Sequence, residues 1–177
     1  MRAFSPNFHL MTEARTFTRG NLTTFQGVDH DVLQYWFRED LLIPEPAEPR
    51  KHRRFSESEA KIAALLGEAR ILGLNLQALR GLASGIRGAI SFHDNVKMQL
   101  PPDASLDRQA AFVEEGKLDH DCLILAWAIE ECRGLVGLRN VGGGGWMPYA
   151  YGNYFARARS EVVFNLDQIL AIFRGAQ

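Results

Sequence analysis

Pro44, Pro46 and Pro49 stand within six residues of one another. Proline removes a backbone donor and pushes the preceding residue out of the helical region, so this stretch has to be extended or turned. The chain on either side is patterned for helix. Upstream, Thr18 is placed to cap a short helix reaching about Phe25. Gln26-Gly27-Val28 reads as a tight turn that uses glycine's tolerance of positive φ. Asp29 suits the N-cap of a second helix from His30 to about Asp40, along which Val32, Leu33, Trp36 and Phe37 fall at helical spacing. Downstream, Arg53-Arg54-Phe55 is a candidate strand. Ser56 with Glu59 three residues on forms a capping box, which predicts a helix from about Glu57 with Ile62, Leu65, Leu66 and Ala69 as its buried stripe. Gly73 is placed to end it, and Asn75 to cap a further helix with Leu76, Leu79, Leu82 and Ile86 inside. The order is helix, tight turn, helix, extended wing, helix, helix, which is a winged helix-turn-helix.

Charge supports that reading only locally. The 177 residues carry a formal net charge of −1, so bulk charge announces no polyanionic partner. Residues 1–90 sum to +2 and residues 91–177 to −3, and the densest cationic spot is Arg50-Lys51-His52-Arg53-Arg54, on the expected wing. The second half opens at Pro101-Pro102-Asp103. Ser105 is a cap for a helix to about Glu115, and Asp119 for another that turns Leu123, Ala126, Trp127 and Ile129 inward. Asn140 to Gly145, with four consecutive glycines, is expected to be loop. Trp146 to Phe155 is aromatic-rich and fits more than one structure. Ser160 to Phe164 is a candidate strand, with Asn165 capping a final helix through Phe173. Residues 1–16 have no period and read as a tail.

The stretch from Phe17 to Pro44 resembles the opening of the MerR family of regulators. The matching residues are Phe17, Thr18, Gly20, Leu22, Gly27, Val28, Leu33, Tyr35, Trp36, Leu41, Leu42 and Pro44. Arg53-Arg54-Phe55-Ser56 and Arg70-Ile71-Leu72-Gly73-Leu74 continue the likeness, as do Leu76 and Leu79, so it runs to about residue 82. The order of elements along the chain, with the resemblance for its first half, predicts a mainly α fold. A MerR-like winged helix-turn-helix would occupy residues 17–90, and an α-rich dimerisation or effector module with little β would occupy residues 91–177. The resemblance implies a sequence-specific transcriptional regulator, with the recognition helix at about 29–40 in the major groove and the wing at 50–54 on the backbone or minor groove. Homodimers that bend pseudo-palindromic promoter sites, and RNA polymerase as a partner, follow from the same likeness.

The residues expected at double-stranded DNA are His30, Asp31, Gln34, Tyr35, Arg38, Lys51, His52, Arg53, Arg54 and Arg70. Gln34 is able to pair with an adenine edge and His30 to donate or accept. By the resemblance, the Tyr35 hydroxyl would meet a phosphate, and Arg53 is the wing residue that matches the family. Two departures from the family stand out. Asp31 and Gln34 occupy positions where its members usually carry arginine. Gly81, Gly85 and Gly88 are expected to interrupt the helix where a long coiled-coil helix usually follows, each costing roughly 1 kcal/mol in a helix interior.

Other function classes find less support. Cys122 and Cys132 form neither a CxxC motif nor a disulfide framework, and on one helix they would sit roughly 80° apart. With His93 and His120 they make a poor zinc set, so each reads as a small buried hydrophobe and no metal or cofactor is expected. Gly142 to Gly145 lacks phosphate-loop spacing. Glu114-Glu115 and Glu130-Glu131 are sequence neighbours that diverge on a helix, and no catalytic triad has context, so no enzyme is expected. Trp127, Trp146, Tyr149, Tyr151, Tyr154 and Phe155 suit a core or an interface more than a ligand pocket. The apolar run Leu123 to Ile129 is too short for a membrane span, and the N-terminus lacks a signal-peptide core, so a cytoplasmic, nucleoid-associated protein is expected. Two other functions fit the same features. One is an excisionase-like or architectural accessory protein of a mobile element. The other is a winged-helix protein-interaction module without DNA binding, suggested by Asp29 and Asp31.

Overall fold

The computed structural model describes residues 15–26, 28–46, 53–116, 119–142, 145–150 and 161–174. The fold is mainly α, a winged helix-turn-helix followed by an α-rich part that carries one small sheet. The chain starts with a strand, β1 (Thr16–Thr18), which pairs antiparallel with β2 (Arg54–Ser56), Phe17 opposite Phe55. Thr16 is therefore part of the wing, which corrects the expectation of a tail to residue 16. Phe17 and Phe55 point into the core. A three-residue strand has no periodicity to detect; its existence depends on the partner strand 38 positions away.

Helices α1 (Arg19–Gln26) and α2 (His30–Arg38) follow. Thr18 caps α1: its hydroxyl accepts the Asn21 amide, and Asn21 Oδ1 accepts the Thr18 amide at 2.8 Å, a reciprocal cap. Asp29 occupies the N-cap of α2 without a side-chain cap bond. Leu33 and Trp36 are buried, and Phe37 stacks on Phe55 with centroids 5.2 Å apart. Instead of running on to Asp40, α2 ends at Arg38, and Asp40 takes φ 54°, turning the chain so that Leu41 and Leu42 enter the core.

Helix α3 (Glu57–Ile71) is capped by Ser56, whose Oγ accepts the Glu59 amide at 3.2 Å. It closes in a Schellman turn at Gly73, φ 78°, with Leu74 donating to the Ala69 carbonyl and Gly73 to that of Arg70. Residues 59–67 are buried all round the helix rather than along the predicted stripe, because the C-terminal elements cover its far side. Helix α4 (Leu76–Gln99), capped by Asn75, is unbroken for 24 residues. The three glycines do not interrupt it. Gly81 and Gly85 lie one turn apart where a strand crosses the helix, and a Cβ there would collide with Trp146 and with Pro148 respectively. Their intrinsic cost is offset by that close approach. Residue 90, the expected junction between the two parts, lies inside α4.

After the Pro101-Pro102 turn come α5 (Leu106–Glu115), capped by Ser105, and α6 (His120–Glu130), capped by Asp119. Strands β3 (Leu135–Gly142), β4 (Gly145–Ala150) and β5 (Glu161–Asn165) form an antiparallel sheet in the order β4-β3-β5. Asn140–Gly142 and Gly145 are strand ends around a register irregularity, not loop as expected; Gly143 and Gly144 lie outside the described residues. The sheet wins because Asn140 pairs opposite Trp146, whose side chain packs on the core. The final helix is two short pieces, α7 (Leu166–Ile169) and α8 (Ala171–Arg174), and Asn165 makes no side-chain cap bond. One apolar cluster runs from Phe17 through α3 and α4 to Phe173, and the Phe17 and Phe173 rings meet edge-on at 5.6 Å.

Candidate nucleic-acid interface

Burial of Leu33 and Trp36 forces the opposite face of α2 into solvent. That face carries His30, Gln34 and Arg38 in one stripe at four-residue spacing, all exposed. Asp31 and Tyr35 form the adjacent stripe. They face a groove of about 420 Å³ between α2 and the α3–α4 corner, lined also by Arg70, Leu74, Leu76 and Leu79. The Tyr35 ring is 37% exposed and carries the Arg38 guanidinium 5.9 Å from its centroid. Arg53 and Arg54 are exposed at the start of the wing strand. Lys51 and His52 lie outside the described residues. The structure thus gathers His30, Gln34 and Arg38 on one line, sets the wing arginines at the β1–β2 ribbon, and places Arg70 with Asp31 and Tyr35 beside the groove.

Two cations were not legible in the sequence. Arg19, in the first turn of α1, reaches across the helix-turn-helix to His30, Nη1 to Nε2 at 3.0 Å, and lies over the Phe37 ring at 5.2 Å. Arg15 packs over Phe17 at 5.3 Å. The only available signal was a basic residue beside a helix cap; the His30 contact depends on how α1 and α2 fold back on each other.

The wing's exit from α2 is held by one buried ion pair. Glu59 accepts from Arg87 Nε at 2.5 Å and Nη2 at 2.8 Å, and from the Ile43 amide at 2.9 Å, while Arg87 Nη2 also donates to the Leu41 carbonyl at 2.6 Å. Both side chains are at least three-quarters buried. The capping box is therefore half formed: Ser56 caps Glu59, but the Glu59 carboxylate turns to Arg87 and Ile43. Glu39 at the end of α2 pairs with Arg80 of α4.

Several titratable groups away from this face are engaged in contacts within the fold. His93 is buried between Gln109 and Glu130. Lys61 donates to the Glu130 carbonyl and pairs with Glu57. Cys132 is buried, and Cys122 Sγ donates to Asp119. Burial and that acceptor push the Cys122 thiol up to about 11. Among the described residues no group of three His, Cys, Asp or Glu side chains is placed to hold a metal ion. Trp127 is exposed rather than turned inward with Leu123, Ala126 and Ile129 as expected, Trp146 packs on the core and Tyr149 is buried over Gly137; Tyr151, Tyr154 and Phe155 lie outside the described residues.

Compared with known proteins, residues 24–86 match the family described as MerR HTH family regulatory protein. The match covers the end of α1, α2, the β2 strand of the wing, α3 and the first half of α4, and leaves the rest of the chain unassigned. No curated protein matches the chain. No described helix is long and apolar enough to cross a membrane.

Proposed function

We propose, on the premise that residues 24–86 are a MerR-family helix-turn-helix, that this chain is a sequence-specific transcriptional regulator. Helix α2 enters the major groove with His30, Gln34 and Arg38 toward the bases, and the wing lies on the backbone or minor groove through Arg53, Arg54 and the neighbouring Lys51 and His52. Tyr35 and Arg70 meet phosphate from the flanking stripe. The observation that carries this reading is the exposed polar line along α2 beside the arginines of β2, both within the stretch that matches the family, with β1 completing the wing from just before it. Asp31, on the flank, offsets part of the phosphate attraction, so the arginines carry the salt-dependent share of affinity.

A homodimer, with RNA polymerase as partner, would fit two α2 helices to successive major grooves. Its contact has to lie away from the Gly81–Gly85 face of α4, because β4 covers that face. That observation gives weight to a second arrangement, an accessory protein that binds tandem sites as an excisionase-like factor does.

Selection from a random duplex pool at physiological salt separates these readings. A regulator enriches an inverted repeat, weakened about tenfold or more by Arg53→Ala. An accessory protein enriches direct repeats. Enrichment of nothing would contradict both.

A further inference from the structure

We infer that Arg19 and His30 act as one reading unit that recognises a guanine at the edge of the site. This rests on the proposed DNA-binding role and assigns it a base.

The chemistry starts from the 3.0 Å contact between Arg19 Nη1 and His30 Nε2. A guanidinium has only donors, so Nε2 has to be the accepting nitrogen, and the ring proton of the neutral imidazole sits on Nδ1. His30 then offers its surroundings one donor, Nδ1–H. Arg19 spends one of its five N–H groups on His30 and keeps others to give.

The pair is also held still. The Arg19 guanidinium lies over Phe37, and Phe37 stacks within 11° of parallel on Phe55, which is fully buried in the wing strand. An arginine resting on an aromatic face and tied to a neighbour loses less freedom on binding than one waving in solvent. His30 is the first residue of α2 and Arg19 reaches it from the first turn of α1, and the N-terminal residues of a recognition helix are the ones that reach base edges. A site that presents only donors matches guanine, whose major-groove edge shows two acceptors, N7 and O6. Adenine and cytosine both present an amino donor there.

The test repeats the duplex selection with wild type, Arg19→Ala, His30→Ala and, as a comparison, Gln34→Ala. His30 is exposed and Arg19 is half-buried with its guanidinium over the Phe37 ring, so thermal melts of both variants accompany the selection and are expected within a few degrees of wild type. The expected result is a guanine in the wild-type motif preferred about tenfold or more, with that preference lost in both Arg19→Ala and His30→Ala while the other positions persist. Gln34→Ala should relax a different position. An Arg19→Ala variant that binds every sequence more weakly but keeps the guanine preference would reduce Arg19 to a phosphate contact and overturn the inference. So would a wild-type motif with no guanine that responds to either variant. A wild-type selection that enriches nothing would overturn the DNA-binding reading itself, and is told apart because the variants are then not at issue.

Discussion

Glu59 shows how a residue's role differs from its motif. Three positions after Ser56, it announced a helix start correctly, yet its carboxylate serves Arg87 and the Ile43 amide. The capping partner is local and legible; the arginine 28 residues away is not. Replacing Arg87 by alanine strands a nearly buried carboxylate with one amide donor and is expected to cost on the order of 3 kcal/mol. Urea denaturation measures it, and a loss under 1 kcal/mol would show that the pair is solvated in solution. Cys122 offers a second test at this scale. Burial first, and the Asp119 acceptor next, hold its thiol protonated up to about 11. Iodoacetamide should therefore modify native Cys122 at pH 8 much more slowly than the urea-unfolded chain, with the native rate rising only toward pH 11. Equal rates would contradict the assignment. The exposed residues of α2 were readable because the apolar phase of Val32, Leu33 and Trp36 leaves them only one side to occupy, whereas Arg19 was not, since its neighbours come from another helix.

Among the elements, α4 departs most from expectation by propensity. Three glycines in a helix interior argue against a helix, and the helix nonetheless runs through all three. Gly81 and Gly85 are the floor on which β4 sits, while a Cβ at Gly88 would meet nothing within 4 Å. Opposite signs follow for the same substitution. Gly88→Ala should stabilise by roughly 0.5–1 kcal/mol, the intrinsic difference between the residues in a helix. Gly81→Ala has to displace the backbone of Trp146 and should destabilise despite that gain. Thermal melts of the two variants decide it, and the same sign for both would mean that β4 does not pack there. The capped helices α3 to α6 were legible because Ser56, Asn75, Ser105 and Asp119 each close a local hydrogen-bond circuit. Strand β1 was not, because it is made by pairing with residues 38 positions away, and the β3–β4 hairpin was not, because the glycine run from Gly142 to Gly145 reads as loop although its strands pair locally.

At the scale of the whole molecule, α3 is surrounded. It packs on the helix-turn-helix at one side and on α4 and α7 at others, Lys61 reaches the end of α6, and Phe173 closes on Phe17 of the wing. The C-terminal half thus packs against the scaffold that sets α2 beside the wing, and leaves the polar face of α2 open. Amide chemical shifts recorded while a duplex is added to the labelled protein test the central claim most directly. The account predicts perturbations concentrated at residues 15–19, 30–38 and 53–56, weakening as salt is raised. Perturbations confined to α6 and the β4-β3-β5 sheet, or none at all, would contradict it.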